Sequence, residues 1–274
     1  MMFPTFLSRT LAALVFVLSF VFVTCSTNPV TGRKQLTLIP AGEMLSMSYS
    51  QYDQFLKENK LSTDQKATAM IKRVGQRIQK AVEDYARRNG WANRLEGYKW
   101  EFNLVESEQV NAWCMPGGKV VFYTGILPIC ENETGVAVVM GHEVAHAVAE
   151  HGNERVSQGL LANLGGAALS VAMRDKPKET RDLWLGAFGV GTTVGVLLPF
   201  SRSHESEADH MGLIFMAMAG YDPNAAVDFW QRMAAKKGGQ SPPEFLSTHP
   251  SDETRIADIK KHLPEALKAY KPAG

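Results

Sequence analysis

One short motif restricts the fold of this chain more than any other feature. Residues 142–146 read His-Glu-Val-Ala-His and lie inside a long apolar run, 135–150, which predicts a buried helix. On a helix His142 and His146 share one face, and two neutral imidazoles facing one point suit Zn²⁺. Glu143 lies beside the first ligand, where its carboxylate can take a proton from a water on the metal and pass it to a leaving amine. Because buried ionisable groups are costly unless they are paired or bind a metal, the motif predicts a zinc-dependent hydrolase.

A catalytic zinc needs a third protein ligand and one position left for water. The residues directly after His146 lack the spacing of the Met-turn enzymes, so a third histidine of that type is excluded. His151 is about 140° off the ligand face and is predicted to lie at the surface. Glu205 is predicted as the third ligand, and Asp209, on the same helical face, as the acceptor for a ligand imidazole's other nitrogen. Two alternatives stay open, namely Glu207 as the ligand and Glu205 as an exposed carboxylate at a helix start.

The rest of the pattern predicts an α+β fold with a helix first, then strands, then further helices. Ser62 and Gln65 have the spacing of a capping box at the start of the first helix, and Gly152 is predicted to end the active-site helix. The predicted elements are helix 62–88, strands 98–104, 110–115 and 119–123, the active-site helix 135–150, and helices 204–219, from 223 and after 251.

Two further features leave alternatives open. The segments 159–173 and 183–200 are apolar, rich in Gly and Ala, and predict a helical hairpin. We expect the hairpin to pack over the core, with a membrane-dipping role as the alternative. Cys114 and Cys130 could form a disulfide in an oxidising compartment, whereas two free thiols is the interpretation we favour.

The N-terminal segment is typical of an export signal. Arg9 precedes an apolar run, 11–23, that is shorter than the about 20 residues a membrane span needs but suits a signal-peptide core. Residues 1–24 are therefore predicted to be a signal peptide, with Cys25 as the lipid acceptor of a lipoprotein. Thr24 departs from the small residue usual before such a cysteine, so a plain secreted protein and an uncleaved anchor are the alternatives.

Charge and organisation add little beyond this. Residues 25–60 are predicted to be a turn-rich surface lead-in, and residues 61–274 the catalytic domain. With 29 basic and 28 acidic residues the net charge is +1, which gives no electrostatic case for a nucleic-acid partner. Removing the signal segment removes one basic residue, so a lipid would have to supply most of the adhesion to a membrane.

Four motifs in order resemble metallopeptidase family forty-eight, and the resemblance covers about residues 60–270. They are Asn111-Ala112-x-x-x-Pro116-Gly117, the His-Glu-Val-Ala-His motif, Glu205-x-x-x-Asp209 and Ser247-Thr248-His249-Pro250. The resemblance implies a zincin-like (gluzincin) fold, mostly helical, with the active-site helix beside a small mixed sheet and one Zn²⁺ per chain. Glu205 matches the family's third ligand and Asp209 its supporting aspartate. Without clear spanning helices, the chain resembles the family's bacterial envelope branch.

The same resemblance implies roles outside the three ligands. His249 matches a histidine that reaches the metal as a fourth ligand or stabilises the oxyanion, with a structural loop histidine as the alternative. Arg255 recurs near this loop, either as an oxyanion helper or as a structural residue. The family's edge strand, which can pair with an extended substrate backbone, corresponds here to Asn111, Ala112, Trp113, Cys114 and Met115.

Together these features imply a zinc metalloendopeptidase that cleaves unfolded or misfolded envelope proteins in protein quality control. We expect it to be anchored by a lipid on Cys25, to face the periplasm of a bacterial cell envelope and to bind no nucleic acid. One rival is a zinc-containing periplasmic chaperone or assembly factor with latent proteolysis, which a blocking His249 favours. A second rival, a non-enzymatic lipoprotein binding module, leaves the metal-binding helix unexplained.

Overall fold

The computed structural model describes residues 25–176, 178–192, 198–236, 245, 249 and 253–272. Within these residues the protein is mostly helical. The helices are α1 (Ala41–Glu58), α2 (Gln65–Arg88), α3 (Leu127–Cys130), α4 (Glu133–Val148), α5 (His151–Ala172), α6 (Lys178–Thr192), α7 (Leu198–Met218), α8 (Ala225–Ala235) and α9 (Glu253–Ala269). The strands are β1 (Cys25–Thr27), β2 (Lys34–Leu36), β3 (Glu101–Val105), β4 (Ala112–Met115) and β5 (Lys119–Tyr123).

Some predictions fall on residues outside the described ranges and stay predictions. The signal peptide 1–24 is one of them. The other is most of the loop motif, since Ser247, Thr248 and Pro250 also lie outside the described residues.

A small mixed sheet with the order β3-β5-β4 lies beside α2 and α4. β3 runs parallel to β5, and β4 pairs with β5 in antiparallel register, with Ala112 opposite Phe122 and Met115 opposite Lys119. The turn between β4 and β5 requires positive φ at Gly117 (87°), which glycine adopts without strain. The α+β fold with a small mixed sheet is therefore confirmed, although β3 and β4 begin a few residues later than predicted.

Helix α2 begins at a different cap from the predicted one. Asp64 is the N-cap, and its side chain accepts a hydrogen bond from the Ala67 amide at 2.9 Å. Ser62 instead accepts a hydrogen bond from the Asp64 amide, so the predicted capping box of Ser62 and Gln65 is wrong. The aspartate carboxylate, one turn ahead of Ala67, competes successfully for the free amide of the first turn.

The active-site helix α4 runs through the middle of the core. Asn132 caps it, and every residue from Gly135 to Val148 is buried. Its closest neighbour is α7, which crosses it so tightly that a Cβ added at Gly212 would lie 2.9 Å from the Gly141 carbonyl carbon. Two glycines at the crossing thus bring the face of α4 that carries the motif against the start of α7.

The end of α4 differs from the prediction. The helix stops at Val148, and Glu150 has a left-handed backbone, with φ of 58°. A new helix, α5, begins at His151, so Gly152 lies inside a helix and does not end one. The chain changes direction at Glu150 because a single left-handed residue breaks the helical register.

The apolar segments after α4 do form a helical pair, α5 and α6, but their predicted packing over the core is wrong. Leu164 and Val171 are each 65% exposed and Trp184 is 55% exposed. Of the described residues in 159–192, none belongs to the hydrophobic core. The described part of the predicted second arm belongs to α6, up to Thr192, and to α7, from Leu198. Among the helices described, none is long and apolar enough to cross a membrane.

The residues between 25 and 60 are more ordered than a turn-rich surface lead-in. They form the β1–β2 hairpin and the helix α1, and Asn28 and Gln35 are each 1% exposed. In place of the short helices predicted after 251, the described residues at the C-terminus form the helix α9. Cys114 and Cys130 carry free thiols, so the disulfide is not formed and the free-thiol interpretation is confirmed.

Candidate metal centre

Three side chains from α4 and α7 converge on one buried point. The Nε2 atoms of His142 and His146 lie 3.1 Å apart, and the two carboxylate oxygens of Glu205 lie 3.3 Å from them, one from each. Ligands about 2.0–2.1 Å from a tetrahedral zinc would be separated by about 3.3 Å, which is close to these distances. The structure therefore brings together the three residues that the sequence predicts as ligands.

His249 lies at the fourth corner of this cluster. Its Nδ1 is 3.1 Å from His142 Nε2 and 2.9 Å from the Glu205 carboxylate. Its amide donates to the Phe245 carbonyl, and the Phe245 amide donates to the carbonyl of Val110, just ahead of β4. The loop histidine is thus tied to the start of the edge strand, and its ring joins His142, His146 and Glu205 in one buried cluster.

Asp209 and Arg255 support the first histidine. Asp209 Oδ1 lies 2.9 Å from His142 Nδ1, so the carboxylate can fix the ring with Nε2 facing the cluster. Arg255 donates two hydrogen bonds to Asp209, at 2.7 and 2.8 Å, and its guanidinium lies 3.3 Å from the centre of the Trp230 ring. Its Nη1 also lies 3.1 Å from Glu205, so Arg255 holds two acids in place.

Glu143 faces the same space with an unused oxygen. Its Oε1 is buried and makes no hydrogen bond to any residue that the structure describes. That oxygen lies 3.4 Å from His249 Nε2. A buried carboxylate oxygen is costly to leave without a partner. Beside His142, His146 and Glu205, the unused oxygen of Glu143 fits a site that holds a metal and an attacking water.

Burial and nearby charges set the protonation of these groups. Burial lowers the pKa of His146 well below its ordinary value, which favours the neutral form that a metal ligand needs. Burial alone would raise the pKa of Glu205, but the nearby His146 and the hydrogen bond with His142 hold it well below its usual range. The Glu143 carboxyl has its pKa raised by burial, in keeping with a group that exchanges protons.

Sequence reasoning missed a second polar cluster on the far side of His146. His151, predicted to lie at the surface, is completely buried, with its Nδ1 2.9 Å from His146 Nδ1 and its Nε2 2.8 Å from Glu207. The prediction was wrong because it assumed that α4 continues, whereas the break at Glu150 turns His151 back toward the site. Burial lowers the pKa of His151 to about 4. Glu207, the alternative ligand, faces His151 and Arg33 and not the convergence point.

The predicted edge strand lies at one side of the sheet. β4 begins at Ala112, and Asn111 precedes it, accepting a hydrogen bond from the Tyr123 amide. Trp113 packs edge-on against Phe55 of α1, with ring centroids 4.9 Å apart. In the part of the chain that the structure describes, β4 pairs with β5 alone, so its other edge is not paired with a strand there.

Comparison with known proteins identifies the family to which this chain belongs. The family described as peptidase family M48 matches residues 72–263. The chain belongs to peptidase family M48. The predicted family and its zincin-like fold class are thereby confirmed, and M48 peptidases depend on a metal.

The relatives are named proteases from mitochondria and bacteria. The mitochondrial metalloendopeptidase OMA1 of Schizosaccharomyces pombe is 40% identical over 177 residues, covering 63% of this chain and 49% of the relative. The Arabidopsis thaliana OMA1 is 34% identical over 249 residues, covering 88% of this chain and 44% of the relative. The beta-barrel assembly-enhancing protease of Escherichia coli is 28% identical over 181 residues, covering 59% and 34%. The M48 chain described here thus spans half or less of the length of these relatives.

Proposed function

We propose that this chain is a zinc-dependent metalloendopeptidase. The observation that carries the proposal is the convergence of His142, His146 and Glu205 to within 3.1–3.3 Å, beside a Glu143 oxygen that makes no hydrogen bond to the described residues. Membership of a metal-dependent peptidase family and relatives named metalloendopeptidases support it.

Each residue of the site has a distinct task in peptide hydrolysis. His142, His146 and Glu205 would hold the zinc, which when bound acts as a Lewis acid and lowers the pKa of its water. Glu143 takes a proton from the attacking water at its free carboxylate oxygen and delivers it to the leaving amine. Asp209 accepts the Nδ1 hydrogen of His142 and so keeps the ring's Nε2 lone pair directed at the ligand cluster.

The substrate is proposed to be an extended polypeptide that adds to the free edge of β4. Such pairing holds the main chain by hydrogen bonds and selects side chains weakly, which suits unfolded or misfolded proteins. The N-terminal signal pattern and the Escherichia coli relative named for β-barrel assembly support substrates in the bacterial envelope. Lipid attachment at Cys25 would hold the enzyme at the membrane, facing the periplasm.

A second function, a zinc-containing assembly factor with latent proteolysis, is favoured by the position of His249. With its Nδ1 3.1 Å from His142 and 2.9 Å from Glu205, this ring occupies the corner that an attacking water needs. The enzyme is then held shut until the loop moves. Both functions use the same metal site and differ in how often that loop opens.

The basic proposal is tested by Glu143→Gln in the purified chain. We expect zinc content close to that of wild type, because the ligands are intact, and casein cleavage lower by about 10²–10⁴-fold, because the proton acceptor is lost. Glu108→Gln, an exposed acid ahead of β4, is the matched control and should cleave normally. Unchanged cleavage by Glu143→Gln would refute the mechanism.

His249→Ala separates the two functions. If His249 blocks the metal, its removal raises the rate of casein cleavage while zinc stays bound. If His249 stabilises the oxyanion, the rate falls, by about 10²-fold or more. A rate equal to that of wild type would leave His249 with only a structural role in the loop.

A further inference from the structure

The two histidines of the metal centre are supported in different ways. His142 contacts the carboxylate of Asp209 directly, whereas the Nδ1 of His146 lies 2.9 Å from Nδ1 of a third histidine, His151. His151 makes its other contact with Glu207, at 2.8 Å. Both His151 and Glu207 are buried, with 0% and 5% exposure, so water does not substitute for these contacts.

The positions of the hydrogens follow from the geometry. His146 directs Nε2 at the ligand cluster, so its Nδ1 carries the hydrogen and donates it. His151 must then accept at Nδ1 and carry its own hydrogen on Nε2, which donates to the Glu207 carboxylate. A neutral imidazole between a ligand and a carboxylate fixes both ring orientations at once, which is how outer contacts tune metal sites.

Glu207 is in turn held by the N-terminal hairpin. Arg33 donates to it from Nε at 2.9 Å and from Nη2 at 2.8 Å, and the Thr31 hydroxyl makes a further hydrogen bond to it. The same guanidinium donates to both oxygens of Glu154, at 2.9 and 2.8 Å. The two carboxylates are buried, and His204 beside Glu154, His151 beside Glu207 and the arginine between them help both to stay charged.

The hairpin also holds the junction that aims His151. Gln35 of β2 donates a hydrogen bond to the carbonyl of Ala149, the residue between the last turn of α4 and the left-handed Glu150. The N-terminal hairpin therefore supports the metal centre indirectly at two points, through the polar chain that ends on His146 and through the backbone where α4 gives way to α5.

We infer that Arg33, Glu207 and His151 form a positioning relay that orients the ligand His146 and makes the N-terminal hairpin part of the metal centre. The relay reaches outside residues 72–263, the part that matches the family, so it ties a segment beyond the peptidase core to the metal. The inference rests on the proposed metal site. His151 is a positioning residue in it, because it acts through His146.

The test compares zinc affinity in purified full-length variants. By competition with a chelator, we expect His151→Ala to bind zinc about 10–100-fold more weakly than wild type. Arg33→Met should also weaken zinc binding, but by less, because Glu207 can still contact His151. Lys34→Met is the matched control, since Lys34 is an exposed cation in the same hairpin, and should bind as wild type does.

Two further readouts separate positioning from mere folding. The visible spectrum of the cobalt-loaded protein should change in His151→Ala and return toward wild type in His151→Gln, whose amide can accept from His146 and donate to Glu207. Wild-type zinc affinity and an unchanged cobalt spectrum in folded His151→Ala would overturn the inference, even if its metal-free form melts at a lower temperature.

The remaining outcomes are also decisive. Should His151→Ala fail to fold, Arg33→Met and His151→Gln decide in its place, and wild-type affinity in Arg33→Met would then reject the link to the hairpin. A wild-type protein that binds no zinc, or a fully active Glu143→Gln, would instead defeat the proposed function. If the relay alone fails, the wild-type protein still binds zinc and Glu143→Gln is still inactive.

Discussion

The active-site helix α4 and the apolar part of the α5–α6 hairpin, 159–192, have similar compositions and opposite environments. Both are apolar and contain several glycines and alanines. α4 is buried along Gly135–Val148, whereas the hairpin exposes Leu164, Val171 and Trp184 by more than half. The comparison shows that an apolar helical sequence does not determine whether the helix enters the core.

The difference comes from the neighbours that each helix finds. α4 is surrounded by α2, α7, α8 and β4, and the glycine pair Gly141 and Gly212 lets α7 approach its backbone. The two arms of the α5–α6 hairpin pack on each other, with Phe188 lying against Gly165, and α5 also contacts α4 and β2. An apolar residue on α4 therefore loses water on all sides, while one on the hairpin does so on a single side.

The largest contrast is expected from placing a charge on each helix. Val139→Asp puts an unpaired carboxylate at a position with 0% exposure and should lower the free energy of unfolding by more than about 4 kcal/mol. Leu164→Asp, at 65% exposure, should change it by less than about 0.5 kcal/mol. Urea unfolding followed by circular dichroism measures both. Equal losses of unfolding free energy in the two variants would mean that the α5–α6 hairpin is buried in solution.

A smaller effect is expected at the crossing of α4 and α7. In Gly212→Ala the new methyl group would lie 2.9 Å from backbone atoms of Gly141 and His142, which cannot rotate away. We expect the free energy of unfolding to fall by about 2 kcal/mol, and zinc to bind more weakly because the helices move apart. Chemical unfolding and chelator competition give the two quantities. If neither changes, the crossing is looser than the structure indicates.

The sequence predicted the three side chains of the candidate metal centre better than the residues that support them. The spacing of His142 and His146 and the position of Glu205 were sufficient to predict three side chains that the structure brings together, although their role as ligands stays a proposal. His151 could not be placed, because the left-handed residue Glu150 that redirects the chain is not visible in helical periodicity. Arg33 was missed because no local pattern links a turn to a helix that lies far along the chain.

The exposure of the α5–α6 hairpin could not be predicted either, because no local pattern shows which elements pack against it. Burial of Leu164 or Trp184 depends on which elements stand opposite, and apolar content alone says nothing of that. The family's edge strand and active-site helix, by contrast, come from segments close in sequence, where turn residues such as Gly117 fix the geometry locally.

Acid should distinguish the buried carboxylates Glu154 and Glu207 from the exposed charges of α6. Burial alone would raise the pKa of Glu154 and of Glu207, but hydrogen bonds from His204, His151 and Arg33 lower each to about 2. Since an unfolded glutamate titrates near about 4.3, these groups stabilise the fold above that pH, and the contribution is lost as the pH falls from about 4.3 toward 2.

The difference in unfolding free energy between wild type and Arg33→Met should therefore become smaller as the pH falls from about 4.3 toward 2. Lys178→Met, which removes an exposed partner of Asp182 on α6, should cost little at any pH. Urea titrations at pH 6, 4 and 3 test both expectations. A gap that stays constant down to pH 3 would show that Arg33 does not control these carboxylates.

The smallest effect, and one of opposite sign, is expected for a methyl group added to the hairpin. Gly159 lies within α5, and a Cβ built there meets no atom within 4 Å, in contrast to Gly212. Alanine restricts the unfolded chain and suits a helix better than glycine, so Gly159→Ala should raise the free energy of unfolding by about 0.5–1 kcal/mol. The gain appears only if α5 unfolds together with the core. If Gly159→Ala leaves global stability unchanged but slows amide exchange within α5, then the hairpin opens independently of the helix that carries the metal centre.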